Sequence, residues 1–543
     1  MDVAQHLSAY GAAHTNWVDV TGRAHVSEQD GGGLEASFDH VGRSLLVDVL
    51  RDGHREVVLS DGELSVAARY SADGARLEVR WGETLVVDEP LHGLGGVVHG
   101  PAGLGNADFC RAHGVRYAYV AGAMAGGIAS ADMVVNMQRA GLLAFYGSGG
   151  VPVAAVESAL RDIKGRVDGE NWGVNLLHNP VEPAVEEATV DLYLKHGVTR
   201  VSASAYVRLT PAIVRFRFAN LAAGKDGQIT GGNHVFAKVS RVEVAEPFLR
   251  PPSAEMLAEL VTAGTLTAEQ AEWAKSMPVA TAITAEADSG GHTDHRPLMV
   301  ILPAIRQLRD RIAQELGYAQ APFVGAAGGI GTPSAVVGAF AMGADYVLTG
   351  SINQASLEAG TSAAVKRMLA DAASTDVASG PAPDMFEMGA KVQVLSRGSM
   401  YAARAQRLYE LYRSYPSLDA LPDKEKARIE KQIFARPIAD VWADTESYWT
   451  SRDAEQVARA KTDARHKMAL VFRWYLGNTS RWARMGEPAR ARDYQIWCGP
   501  SMGAFNQWAR GGALEELDQR GVVDIAEALM QGAAGLNAGL AGA

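Results

Sequence analysis

Eight short apolar runs, each followed by a longer segment with apolar residues at helical spacing, restrict what this chain can fold into more than any other feature. The runs are RYAYVA (116–121), LLAFY (142–146), WGVNLL (172–177), RVSASA (200–205), HVFAKVS (234–240), ATAITAE (280–286), FVGAA (323–327) and DYVLTG (345–350). Strands alternating with helices imply a parallel sheet, because each parallel crossover must leave the sheet and return, usually through a helix. Eight such units close a barrel. The connecting segments VEEATVDLYLKHGV and PSAVVGAFAMGA carry an apolar helical face and end in Gly or Gly-Ala close to the next run. The predicted fold class is therefore α/β, a (β/α)8 TIM barrel. One connection is unusually long: between Ser240 and Ala280, AEMLAELVTAGTLTAEQAEWAKSM predicts an extra helix, an insertion around 246–278 over one rim.

The flanks read differently. Up to about residue 91, SLLVDVLRDG, REVVLSDG, LSVAARYSADG and ARLEVRWGE alternate apolar and polar residues between Asp-Gly or Gly turns, which predicts a small β-rich N-terminal module over 1–92. Beyond Gly380 the strand signal fades, and 404–412, 424–435 and 453–476 read as helices rich in Arg, Tyr and Trp. The expected division is a barrel over 93–400 and a helical C-terminal domain over 401–543, ending in a low-complexity tail, QGAAGLNAGLAGA. At 543 residues, several units are expected rather than one core.

Charge and cysteine content exclude some function classes. A net charge of −11 argues against nucleic-acid binding as the main task, which needs a clustered basic face. One stretch runs the other way: Arg473, Arg481, Arg484, Arg490 and Arg492 stand against Glu487 alone, a local basic surface or a solvated helix face. Cys110 and Cys498 offer neither a zinc-ligand spacing nor a disulfide framework, and are expected to be inert thiols in a reducing compartment. The N-terminus has no basic flank leading into an apolar core, and no run of roughly 18 apolar residues occurs, so a cytoplasmic protein without membrane contact is expected.

In such a barrel the chemistry sits just after the strands. After the first run come Gly122, Ala123 and Met124, small enough at the start to let a planar ring approach the backbone. After the seventh and eighth come Gly328 and Gly329, and Gly350 and Ser351, each pair ahead of a helix, the usual place of a phosphate in these barrels. No G-x-G-x-x-G follows a predicted strand, so the phosphate is expected to belong to a mononucleotide. The sixth run ends EADSGGHTDH, placing Glu286, Gly290, Gly291 and His292 on one loop; His292 is the candidate proton donor, with His295 its competitor. Asn175 offers a donor and an acceptor to a ring edge, and Lys238 on the fifth run is placed to face the ring.

The loops AGAMAGGIAS, GVNLLHNP, EADSGGH, GAAGGIGTP and LTGSINQAS resemble those of FMN-dependent enoyl-ACP reductases and nitronate monooxygenases. The longer segments AKVSRVEVAEPFLRPP, WYLGNTSRWAR and YQIWCGPSMGAFNQW resemble the PfaD-type trans-acting enoyl reductases of polyunsaturated fatty acid and polyketide synthases. The resemblance implies FMN reduced by NADPH, and hydride passed from the flavin to the β-carbon of a 2-enoyl thioester held on an acyl carrier protein. It implies that His292 polarises the carbonyl or relays the α-proton, that Gly328, Gly329, Gly350 and Ser351 hold the FMN phosphate, and that Asn175 and the Gly122 to Met124 backbone lie near the ring. The sequence departs from the family's EAGGH pattern in reading EADSGGH, with Ser289 before the glycines. A homodimer is compatible with this reading. A nitronate monooxygenase-like flavoenzyme and a non-catalytic synthase component that docks a carrier protein are the alternatives. A barrel of the inosine-monophosphate dehydrogenase type would need a rim-loop cysteine, and neither Cys110 nor Cys498 falls there.

Overall fold

Each of the eight expected runs forms a strand: β1 Tyr119–Ala121, β2 Leu143–Tyr146, β3 Trp172–Leu177, β4 Arg200–Ser204, β5 His234–Val239, β6 Ala282–Glu286, β7 Phe323–Ala327 and β8 Val347–Thr349. They pair in parallel, in chain order, and β8 closes onto β1, with Leu348 opposite Val120. The computed structural model describes residues 100–178, 183–224 and 228–541, with side chains to 537, and six strand backbones before residue 91. Those six, Ala24–Gln29, Gly33–Phe38, Glu56–Ser60, Ser65–Tyr70, Arg76–Trp81 and Thr84–Pro90, make one sheet in chain order, as the β-rich module predicts. The run SLLVDVLRDG lies outside the described residues.

Alternation along each strand decides which residues fill the barrel. Phe145, Phe236, Phe323 and Tyr346 meet inside it, and Phe109, from the helix Ala107–His113 ahead of β1, stacks on Tyr346 at 4.5 Å. That helix closes the end where the strands begin and leaves the other end as the mouth. Gly173 and Gly325 make room for the large rings, since a Cβ on either would collide with Phe145 or Tyr346. Two buried tyrosine hydroxyls find partners, Tyr346 on Thr284 and Tyr119 on Thr349, both at 2.6 Å. Outside, several βα loops end in a hydroxyl that caps the following helix: Ser130 accepts from the Met133 amide, Thr210 from Ile213 and Thr332 from Ala335.

Seven helices following β1 to β7 pack around the strands, and the eighth place is taken by Val522–Ala541, which lies against Ala131–Arg139 and Pro333–Ala341. Its buried residues Val522, Ile525, Ala526, Leu529, Met530, Ala533 and Ala534 recur at helical spacing along one face. From Gln531 to Ala541 the small-residue stretch is thus part of a helix rather than a low-complexity end; a Cβ on Gly532 would press to 2.6 Å from Pro333. The chain between residues 351 and 521 leaves the barrel after β8 and returns to complete it, so a division after residue 400 would separate the last helix from the barrel it closes.

Two further expectations are corrected. The strand signal does not end at Gly380: Val377–Pro381 and Lys391–Leu395 pair antiparallel, and Gly291–His292 adds a third strand with His292 opposite Val392. KVQVL alternates faithfully, but it is too short to stand out beside helical segments. The long connection holds three helices, Val242–Leu249, Ala254–Thr262 and Ala268–Ala274. Gln270 donates to the Ala219 and Leu221 carbonyls at the C-terminal end of helix Pro211–Phe218, so this elaboration lies toward the rim opposite the mouth. Beyond the strands Val377–Pro381 and Lys391–Leu395, helices Tyr401–Ser414, Asp423–Ile429, Ile438–Arg452, Ala454–Thr462 and Ala464–Met485 surround a second core of Phe386, Tyr401, Phe434, Phe472 and Tyr475. Among the described residues, no helix is long and apolar enough to cross a membrane.

Candidate active site

The mouth of the barrel has two unlike halves. Continuing the inward alternation past Phe145, Val120 and Leu348 gives Gly147, Gly122 and Gly350, each one residue beyond the end of β2, β1 and β8; continuing it on β3 to β6 gives Asn175, Ser204, Lys238 and Glu286. One half is bare backbone and the other is polar. Glycine is required where loops touch: a Cβ on Gly147 would collide with the Met124 carbonyl, and one on Gly122 would press against Leu348. The Gly122 amide donates to the Thr349 carbonyl at 2.8 Å, which fixes the loop carrying Ala123 and Met124 beside β8.

On the polar half, Lys238 Nζ donates to Glu286 Oε1 at 2.8 Å, and Ser289 Oγ donates to the same oxygen at 3.1 Å. Ser289, the departure from the EAGGH pattern, thus holds the Glu286 carboxylate. Asn175 spends its Nδ2 hydrogens on the Ser202 carbonyl at 2.9 Å and Ser204 Oγ at 3.2 Å, and its Oδ1 lies 3.0 Å from where a Cβ on Gly149 would be. In this arrangement it offers an acceptor to the mouth, not both an acceptor and a donor.

The loops after β7 and β8 meet as expected. Gly328 and Gly329 have φ of +82° and +77°, the left-handed region that favours glycine, and a Cβ on Gly328 would come within 2.7 Å of the Ala287 backbone. Gly329 and Gly350 have no atom within 4 Å of an added Cβ, so open space adjoins both. A segment that the sequence assigned to the helical domain joins them. Trp497 to Ser501 runs across these loops: the Gly499 amide donates to Ser351 Oγ at 3.0 Å, Gln354 Nε2 to the Trp497 carbonyl at 2.7 Å, and a Cβ on Gly290 would lie 2.7 Å from the Cys498 nitrogen. Helix Ser501–Ala509 starts there without a side-chain cap, and a Cβ on Gly331 would collide with the Ser501 carbonyl. Two glycine loops and an uncapped helix start gather amide donors around open space, which suits a phosphate; the glycine half beside them suits a flat ring. The residues present therefore fit FMN.

His292 and His295 are distinguished by their partners. His295 engages both ring nitrogens, Nδ1 with Asp288 at 2.8 Å and Nε2 with Ser379 at 3.2 Å. His292 uses Nε2 on Asp384 Oδ1 at 3.1 Å, packs at 75° to the Trp497 ring, and has no partner for Nδ1 among the described residues. Desolvation alone would raise the Asp384 carboxyl, but the hydrogen bond and charge of His292 outweigh it and hold the group below its ordinary value. Histidines at the opposite end are unsuited to proton transfer: burial, with neighbouring positive charge, lowers His113 to about 2 and His234 to about 3. Asp384 and Trp497 were not legible as site residues, because only the fold brings them to the sixth loop.

The arginine stretch does not form one basic surface. Arg484 Nη1 donates to the Gly126 carbonyl of the first loop at 2.7 Å, Arg490 donates to the Ile433 and Phe434 carbonyls and lies 4.3 Å over Trp482, and Arg473 pairs with Glu387 at 3.4 Å. Arg481 and Arg492 remain exposed.

Residues 415–494 match the family model described as acyl-carrier-protein S-malonyltransferase, inserted helical domain. The chain is 48% identical over 434 residues to the polyketide biosynthesis protein ThaF of Burkholderia thailandensis, covering 80% of this chain and 37% of that protein. It is 44% identical over 416 residues to one of the polyunsaturated fatty acid synthase polypeptides of a Thraustochytrium species, covering 76% of this chain and 28% of that one. The chain thus spans well under half the length of these curated relatives. The crystal structure of the enoyl reductase domain of MlnA, from the macrolactin biosynthesis cluster of Bacillus amyloliquefaciens, superposes with a TM-score of 0.77 at 38% identity, over 80% of this chain and 98% of that domain. The chain belongs to the family of the MlnA enoyl reductase domain. The PfaD-type resemblance and the barrel are both borne out by this match. At 80% of this chain, the match is longer than the stretch from β1 to β8 alone.

Proposed function

We propose that this enoyl reductase family member reduces the α,β double bond of 2-enoyl thioesters on an acyl carrier protein of a polyketide or polyunsaturated fatty acid synthase, with FMN as cofactor and NADPH as reductant. The observation that carries the reading is the single free nitrogen of His292, backed by Asp384, on the same mouth as the glycine half and the two glycine loops after β7 and β8. Gly328, Gly329, Gly350 and Ser351 would hold the FMN phosphate, with Gly122, Ala123, Met124 and Asn175 about the ring and Gly290 and Gly291 shaping the loop under His292. When bound and reduced, FMN supplies hydride for the substrate β-carbon.

The chain's own residues do the rest. Asp384 accepts from Nε2 of His292, so a second proton on the ring would sit on Nδ1, the nitrogen left facing the mouth. His292 can then donate that proton toward the thioester carbonyl or the α-carbon and is left as the neutral ring with its hydrogen on Nε2, still held by Asp384. Lys238 and Ser289 fix Glu286 at the mouth, keeping this half polar and its geometry constant. The malonyltransferase-type segment supports a carrier-borne substrate.

The test is to identify the flavin that copurifies and to analyse the product formed from a crotonyl thioester with NADPH under anaerobic conditions. FMN and a butyryl thioester are expected. FAD, no flavin in folded protein, or turnover only of a nitronate with oxygen would overturn the reading.

A further inference from the structure

A cavity of about 340 Å³ lies between the loop Asp384–Met388 and the helices Ala454–Thr462 and Ala464–Met485. It shares a wall with the active site, because Asp384 lines it and also holds His292. Its charges are almost all answered: Arg459 by Asp463 at 3.2 Å, and Arg473 by Glu387 at 3.4 Å. Arg465 is the exception. Its guanidinium lies 4.6 Å over the Tyr412 ring, and no carboxylate meets it among the described residues. Beside it, His466 is only 7% exposed, yet its Nε2 has no hydrogen-bond partner among the described residues. A buried polar atom left unmet costs free energy unless a ligand or water satisfies it. Met385 and the largely exposed Met388 give the same cavity an adaptable apolar side.

An unanswered guanidinium next to an unanswered buried imidazole, with methionines alongside, suits a phosphoryl anion attached to a flexible arm. We infer that this cavity seats the phosphate of the pantetheine arm that carries the enoyl chain, so that the thioester extends past Asp384 to His292. The inference rests on the enoyl reductase reading above. The phosphate of a nicotinamide dinucleotide offers the same chemistry, and the test separates the two.

Calorimetric titration of the full chain with crotonyl-phosphopantetheine and with crotonyl-pantetheine, the same arm without phosphate, should give Kd values differing by roughly tenfold or more in favour of the phosphorylated form. Arg465→Gln, a change to an exposed side chain, should erase that difference, while NADPH titrated into both proteins should bind alike. Equal Kd values in the parent chain, or a preference that survives Arg465→Gln, would overturn the assignment. A loss of NADPH affinity in the variant would give the cavity to the dinucleotide instead. Calorimetry needs no turnover, so a phosphate preference without any enoyl reduction would leave this site standing and remove the activity reading alone.

Discussion

Gly328 and Gly350 both border the proposed phosphate site, but for different physical reasons. Gly328 has a φ of +82° and no room for a Cβ, so Gly328→Ala should destabilise the chain by about 1–3 kcal/mol from backbone strain alone. Chemical denaturation would show it, and unchanged stability would contradict the packing described. Gly350 has a φ of −133° and open space, so Gly350→Ala should fold and keep FMN. Gly350→Asp should fold and lose it, because a carboxylate repels the phosphate by on the order of a few kcal/mol in a partly buried site. Flavin occupancy after gel filtration distinguishes the pair; equal retention would displace the phosphate. The position of the glycine pairs and of His292 on the mouth loops was legible in the sequence, because those loops follow the strands. The partners that set His292 apart from His295 were not, since Asp384 and Ser379 reach the sixth loop only through the fold. Burial pushes Cys110 to about 11 and Cys498 to about 12, so neither thiol should alkylate at pH 8 before unfolding, as mass spectrometry would record.

At the scale of elements, the barrel strands were legible because each is a buried apolar run bounded by turn residues, and burial on both faces leaves no other place for such runs. The closing helix was not. Its stretch from Gln531 to Ala541 is so rich in Gly and Ala that it reads as a tail, whereas smallness is what lets the helix approach Pro333. Val522–Ala541 seals the barrel between β8 and β1, so Leu529→Ala should cost about 2–5 kcal/mol, as for other fully buried leucines. A loss below about 1 kcal/mol in urea titration would mean that the helix rests on the barrel without closing it. Trp497 to Ser501 was equally hidden: its Gly-Pro-Ser signals a helix start, but nothing local says that this start lies across loops from β6, β7 and β8.

Across the whole molecule, the segment inserted between β8 and the last helix completes the mouth. It supplies Asp384 to His292, Trp497 to Ser501 to the loops after β7 and β8, and Arg484 to the first loop. Arg484→Ala should therefore lower FMN retention while leaving the far-ultraviolet spectrum unchanged; full retention would show that the first loop holds its shape unaided. Under the proposed function, His292 serves proton transfer to the enoyl thioester and not flavin reduction. Rapid-mixing of His292→Ala under anaerobic conditions separates the two half-reactions. NADPH should reduce the bound flavin at close to the parent rate, and reoxidation by a crotonyl thioester should slow by roughly 10² or more, the usual worth of a positioned general acid. Equal slowing of both half-reactions, or reoxidation at the parent rate, would contradict it.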